Sequence, residues 1–424
     1  MRLIPRAAAA MVLAAATTGS WATDAPTALV PPGESFYATS YEKTPSVAQL
    51  TQLGRRAFFD ASLSASGRVS CASCHDPRYA YGPPGDGSTP FAGPDGRQRG
   101  YRATPSLRYL QGVPPFTEHM HDSDDDDSID QGPAGGRTWD GRAQSTHEQA
   151  SLPLLSPVEM ANQSPEEVVA RLRRAELAGA FKEAFGEHVL DNSRRAFNAL
   201  LWSLEVFQQS PSDFYPYSSR YDAYLRGQGR LTEQEKRGLA AFDDPTRGNC
   251  ASCHPSALRR GAFPAFTDFG YVALGVPRNR ALAANRDAHF FDLGLCGPAR
   301  RDLASRTDYC GLFRTPSLRN VATRRSFFHN GAFHQLERVL DFYAERDARP
   351  GLWYPRDANG RVLVFDDLPV AYRANVQRDR PFGQRAGGTP ALTRAERADI
   401  VAFLRTLTDG DQTDRSDAHN RPAH

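Results

Sequence analysis

The sequence predicts a mainly α-helical fold in which one plan is used twice, and three observations carry that prediction. The pentapeptide Cys-Ala-Ser-Cys-His stands at residues 71–75 and again at 250–254. Matching segments flank both copies. Leu53-Gly54-Arg55-Arg56-Ala57-Phe58-Phe59-Asp60 and Arg237-Gly238-Leu239-Ala240-Ala241-Phe242-Asp243-Asp244 precede them, while Arg102-Ala103-Thr104-Pro105-Ser106-Leu107-Arg108 and Phe313-Arg314-Thr315-Pro316-Ser317-Leu318-Arg319 follow. Helix-start signals recur along the chain, and no extended alternating pattern competes with them.

In chain order, residues 1–22 read as a secretory signal. Arg2 and Arg6 precede a short apolar run, and Ser20 and Ala22 occupy the positions a signal peptidase reads. The run is too short to span a bilayer, and no later stretch is long enough; an uncleaved N-terminal anchor is the alternative. Residues 23–45, rich in Pro, Thr and Ser, are expected to form a flexible leader. The first repeat occupies 46–228, the second 229–410, and a polar tail 411–424. Ser164 with Glu167, Thr232 with Glu235 and Thr393 with Glu396 read as capping boxes, the first with Pro165 at the opening helical position and the others with Leu231 and Leu392 as staples. The last box opens a helix through 400–407 with an apolar stripe. The acidic run 122–127 reads as a solvated loop, with a calcium loop as the alternative. An insert from about 280 to 312 carries Cys296 and Cys310, expected to pair in an oxidising compartment; two buried thiols are the alternative. The net charge of +2 gives no reason to expect nucleic acid.

Two cysteines two residues apart and followed at once by histidine form the attachment site of a c-type haem. Each thiol adds to one vinyl group of the porphyrin, and the adjacent histidine takes the iron as proximal ligand. Two covalent haem c groups are therefore expected, on Cys71, Cys74 and His75 and on Cys250, Cys253 and His254. A zinc knuckle or a redox dithiol is the competing assignment, but neither copy has a second Cys-x-x-Cys nearby. In bacteria such haems are attached outside the cytoplasm, so a periplasmic location is expected.

The sixth ligand decides what each haem does. Beyond the signal segment the methionines are Met120 and Met160, and none follows His254. For the second haem the candidates are His289, His329, His334 or a tyrosine, with Tyr343 prominent in Val339-Leu340-Asp341-Phe342-Tyr343. For the first, no histidine or methionine lies between His75 and His119, which favours an open site. Trp139-Asp140-Gly141-Arg142 is followed by Gln149, Pro153 and Glu159 in an apolar segment, and a carboxylate there could serve as acid and base on peroxide.

These motifs, in this order and spacing over roughly 46–408, resemble the bacterial di-haem cytochrome c peroxidase/MauG family. The resemblance rests on residues 70–77, on Trp139-Asp140-Gly141-Arg142, on Phe313 to Asn320 and on Phe328-His329-Asn330-Gly331. It implies two cytochrome c-like helical domains, an N-terminal haem as peroxide site and a C-terminal haem that handles electrons. Trp139 matches the tryptophan between the haems, and Gln149, Pro153 and Glu159 match distal-pocket residues. Tyr343 stands fourteen residues past His329, where many members carry a methionine ligand, as in the tyrosine-ligated branch named after the methylamine dehydrogenase maturation enzyme. The family holds calcium between the haems through an asparagine side chain and carbonyls of a Thr-x-Pro stretch. Here the asparagine position is Tyr109, and the carbonyl positions fall on Arg324 and Ser326. The maturation enzyme's surface tryptophan before the second motif is replaced by Gly248, so its long-range oxidation route is not expected.

The implied function is a periplasmic peroxidase reducing hydrogen peroxide with electrons from a small cytochrome c or copper protein. Two alternatives differ in class. One is peroxide-dependent oxidation of residues on a partner protein; the other is a plain di-haem electron carrier without enzymatic activity.

Overall fold

The computed structural model describes residues 35–410 apart from 86, 88 and 122–129. The expected signal segment 1–22, the acidic run 122–127 and the tail 411–424 lie outside the described residues. Among those described, regular structure is eleven α-helices and one pair of two-residue strands, interspersed with short 3-10 segments. The helices are α1 Val47–Phe59, α2 Cys71–Cys74, α3 Thr146–Leu155, α4 Pro165–Leu172, α5 Leu177–Phe185, α6 Ser193–Gln208, α7 Pro211–Phe214, α8 Arg220–Leu225, α9 Glu233–Asp243, α10 Leu336–Glu345 and α11 Arg394–Arg405. Strands β1 Tyr271–Val272 and β2 Phe313–Arg314 pair antiparallel, Tyr271 opposite Arg314. No helix among the described residues is long and apolar enough to cross a membrane.

Helix starts follow the local chemistry. Thr232 and Thr393 form reciprocal boxes with Glu235 and Glu396, and Leu231 and Leu392 are buried beside them. At Ser164 only half of the box closes. Its hydroxyl accepts the Glu167 N–H, but the Glu167 carboxylate takes the N–H of Gln163 instead.

Two apolar cores repeat one arrangement. In the first, α1 lies along α6 with α3, α4 and α5 around them. In the second, α9 lies along α11 with α10 beside it. Gly54 of α1 and Gly238 of α9 hold the same place in the repeated segment, and the reason is contact between backbones. A Cβ on Gly54 would stand 1.9 Å from Ser203 O, and one on Gly238 2.0 Å from Asp399 O. Alanine gains about 1 kcal/mol of helix propensity over glycine, but overpacking a crossing costs about 1–3 kcal/mol or more. The crossing wins, so Gly54→Ala and Gly238→Ala should each lower the thermal midpoint. An unchanged midpoint would show that these helices separate freely.

Residues 35–45, expected as part of a flexible leader, instead pack on the first half. Phe36 is buried and stacks on His147 with ring centroids 3.7 Å apart. Tyr37 donates to Glu205 Oε2 at 2.8 Å, and Tyr41 packs on Phe185 and Trp202. Three aromatic rings within six residues supply the apolar area that the polar composition hid.

In the insert, Cys296 and Cys310 are joined in a disulfide with Cα atoms 5.0 Å apart. Around it Leu295, Leu303 and Tyr309 form a small core with Phe116 and Tyr271. Arg300 covers the Phe116 ring and donates to Asp140 O at 2.9 Å, fastening the insert to the first half. Replacing both cysteines by serine should cost about 2–4 kcal/mol, measured by urea unfolding. A loss of a few tenths would mean that the small core suffices without the bond.

Candidate functional site: two Cys-x-x-Cys-His turns

The first motif forms a single helical turn. Cys71 and Cys74 lie three residues apart on one face of α2, and His75 is its C-cap. The ring of His75 is oriented by a main-chain bond, Nδ1 donating to Tyr81 O at 3.0 Å. Burial pushes its pKa down to about 4, against smaller opposing hydrogen bonds that the imidazole donates to the Tyr81 and Pro105 backbone. The imidazole is thus neutral and presents Nε2. Burial also pushes both thiols up to about 12, with the Glu159 charge contributing, so Glu159 lies within electrostatic reach of this cysteine pair.

Glu159 stands in the turn after α3. The Met160 N–H donates to Pro153 O at 3.0 Å and the Asn162 N–H to Leu154 O, folding the chain back along the helix. Gln149 and Pro153, four residues apart, share one helix face. Burial raises the Glu159 pKa above the usual carboxylate range, while Arg142 and the Ser156 side chain pull it down. A carboxyl whose pKa is raised by burial holds its proton more readily, which suits general acid and base work. His119, the next histidine after His75, is exposed and bonded to Asp130.

The second motif repeats the design. Cys250, Cys253 and His254 follow α9, and His254 Nδ1 donates to Phe266 O at 2.8 Å. Downstream contacts match as well. Ser106 Oγ bonds Ala80 O as Ser317 Oγ bonds Ala265 O, and the Leu107 N–H bonds Tyr81 O as the Leu318 N–H bonds Phe266 O. The repeated Thr-Pro-Ser-Leu-Arg segment therefore braces the carbonyl that orients each histidine. Burial raises the Cys250 thiol to about 12, and the Cys253 thiol is raised as well.

A cavity of about 620 Å³ opens from this motif, lined by Cys250, Cys253, His254 and Tyr343 and reaching Trp139, Phe313 and His329. Tyr343 projects from α10. Its phenol is raised well above its ordinary value by burial first, then by the charges of Cys250 and Cys253. Of the other candidate ligands, His289 and His334 are exposed on the surface. His329 is buried but stacks on Phe313, centroids 3.6 Å apart, and its charged neighbours are Asp292 and Arg102. Tyr343 is thus the candidate within electrostatic range of both cysteines.

Trp139 sits where the halves meet. Its Nε1 donates to Ala103 O at 2.7 Å and its carbonyl accepts from Arg314 N at 2.9 Å. Asp140, fully buried, is held well below the usual carboxylate range; burial opposes this, and Arg102 and Arg142 overcome it. Arg102 also grips Asp292 through Nε and Nη2, tying first repeat to insert. Sequence reading passed over this Arg102 cluster, because nothing local links residues 190 positions apart.

The donor set fits a haem at each motif. The four motif cysteines are outside any disulfide, and each pair is followed by an imidazole whose free nitrogen is Nε2. The cavity volume lies in the range of about 300–1,000 Å³ typical of cofactor sites. Its wall also holds two cations without ion pairs among the described residues. Arg314 is buried, with Nε and Nη1 unpartnered, and burial lowers its pKa. Arg324, half-buried and with its pKa lowered to about 10, donates to the main-chain carbonyls of Ser326 and Thr104. Buried unpaired guanidinium groups are costly, and a cofactor bearing carboxylates supplies their counter-charge.

Comparison with known proteins agrees. A family model described as di-haem cytochrome c peroxidase matches residues 48–230. The methylamine utilization protein MauG of Paracoccus denitrificans is 35% identical over 380 residues, 88% of this chain and 91% of that protein. The cytochrome c551 peroxidase of Pseudomonas aeruginosa is 28% identical over 307 residues, 71% of this chain and 73% of that one. Among solved structures, the diheme peroxidase BthA from Burkholderia thailandensis superposes with a TM-score of 0.76 at 40% identity, covering 89% of both chains. With motifs, repeat and cavity in accord with these relatives, the chain belongs to the di-haem cytochrome c peroxidase/MauG family and is a peroxidase-type oxidoreductase.

Proposed function

We propose that this chain is a periplasmic peroxidase that reduces hydrogen peroxide to water (H2O2 + 2 H+ + 2 e− → 2 H2O) with electrons from a small cytochrome c or copper protein. It carries two haems, bound covalently through Cys71 and Cys74 and through Cys250 and Cys253, in domains 46–228 and 229–410. His75 and His254 are the proximal ligands. Tyr343 would offer its phenol oxygen as a further ligand at the second site, and the first site would be left open for peroxide. Haem held at these sites would supply the redox chemistry. The residues of this chain do the rest. Glu159 accepts the proton from one peroxide oxygen and delivers it to the departing one, and Gln149 orients the pair. Trp139 occupies the path between the two sites.

The observation that carries this reading is the asymmetry between the two repeats. A half-buried carboxylate, Glu159, bears on the first cysteine pair, and a half-buried phenol, Tyr343, lines the cavity beside the second. One repeat is thus equipped for proton transfer and the other for holding iron in its oxidised state. Electron paramagnetic resonance of the oxidised holoprotein, before and after one equivalent of peroxide, tests it. The expected result is one high-spin signal that peroxide removes, beside one low-spin signal. Two low-spin haems indifferent to peroxide would make the protein an electron carrier.

The family resemblance raises a second reading, peroxide-dependent oxidation of residues on a partner protein. Gly248 in place of a surface tryptophan weighs against that route. Sustained turnover with reduced small cytochrome as sole electron source supports the peroxidase.

A further inference from the structure

The family resemblance places a calcium ion between the two haem sites, and the residues present do not fit it. Calcium takes six to eight oxygen ligands. Tyr109 stands where the ligating asparagine would be. It is buried, its hydroxyl donates to Asp409 Oδ1 at 2.6 Å, and it accepts the Tyr217 N–H at 3.1 Å. Of the two carbonyl positions, Ser326 O accepts from Arg324 Nε at 3.2 Å, and Nη2 of the same guanidinium donates to Thr104 O at 3.2 Å. A second cation, Arg319, lies over the Tyr109 ring at 4.6 Å. Among the described residues no three His, Cys, Asp or Glu side chains gather into a metal cluster.

What fills the place is a cation of the chain itself. Thr104 belongs to the first repeat and Ser326 to the second, so Arg324 bridges the seam. Its charge acts on His75 of the first site, while its side chain lines the cavity of the second. A planar guanidinium offers five N–H donors and no acceptor, a shape suited to main-chain carbonyls.

We propose that Arg324 is the inter-haem cation of this protein: it replaces the divalent ion, joins Thr104 O to Ser326 O across the halves, and biases both haems toward the reduced form. This rests on the two-haem reading given above. Although burial lowers its pKa to about 10, the group stays charged at neutral pH. A divalent ion lodged beside it would meet like charge at close range.

The test uses the holoprotein. Haem content is measured first; fewer than two haems per chain overturns the two-haem reading and this proposal with it. The protein is then dialysed against EDTA, analysed for metals, and titrated spectropotentiometrically with and without added calcium chloride. The expected result is no stoichiometric calcium and no response of either haem to EDTA or calcium. One retained calcium per chain, whose removal alters the spectrum, overturns the proposal. Arg324→Gln removes the charge and keeps a donor, so the first haem's redox equilibrium should move toward the oxidised form by about tenfold, 59 mV for one electron. Arg324→Lys should restore most of the shift. Unchanged potentials in a folded Arg324→Gln protein also overturn the proposal, and if that variant does not assemble, the calcium measurements on the unaltered protein decide.

Discussion

Glu159→Gln is expected to lower peroxide turnover by roughly 10²–10⁴-fold, the usual contribution of a positioned acid–base group, while both haems stay attached. The substitution preserves size and removes only the exchangeable proton. Glu159 lies on a turn rather than inside a core helix, and its backbone is held by its own N–H on Ser156 O and by Gly93 N on its carbonyl. The variant should therefore fold. The pH profile gives a second check. Burial raises the Glu159 pKa above its ordinary 4.5, and the base form is the one that accepts peroxide's proton. Turnover should fall as pH drops through that raised value, and the acid limb should vanish in the Gln variant. Unchanged turnover would remove Glu159 from the chemistry. An acid limb that persists in the Gln variant would assign it to another group.

Tyr343→Met is expected to raise the reduction potential of the second haem by a few hundred millivolts, within the ~0.8 V span that axial ligands command. A phenolate stabilises oxidised iron, whereas a thioether favours the reduced form. The side chain is raised well above its usual pKa by burial and by Cys250 and Cys253. It therefore ionises only if iron takes the oxygen. The neighbouring rings, Phe382 at 5.2 Å and Phe328 at 6.1 Å, leave methionine an apolar setting. The variant should lose the ability to share two oxidising equivalents, and its high-spin signal should persist after peroxide. An unaltered potential would mean that Tyr343 is not a ligand, and His329 would become the next residue to replace.

Much of each site was readable because its parts are neighbours in the chain. Cys71, Cys74 and His75 need only one helical turn to meet, and the capping pairs of α9 and α11 need three residues. The repeated Thr-Pro-Ser-Leu-Arg segment was visible as a pattern, but its purpose was not. Only the fold shows Ser106 and Ser317 bracing the strands of chain whose carbonyls orient His75 and His254. The same holds for Gly54 and Gly238, repeated in the sequence, whose small size is explained only by α6 and α11 pressed against them. The leader was misjudged for the opposite reason. Composition averages over residues, and three aromatic rings outweighed a polar background.

The sequence by itself determined the helical class, the twofold plan and the two cysteine–histidine turns, because those depend on residues a few positions apart. Residue patterns and the family resemblance nominated Glu159 and Tyr343, and tertiary structure decided the contacts these and other groups make. It placed Glu159 near Cys71 and Cys74, Tyr343 near Cys250 and Cys253, and Arg324 between Thr104 and Ser326. Apart from the local Arg324–Ser326 bond, these pairings join residues tens to hundreds of positions apart. They exist only once two cores have formed and locked against one another, and short-range spacing carries no record of them.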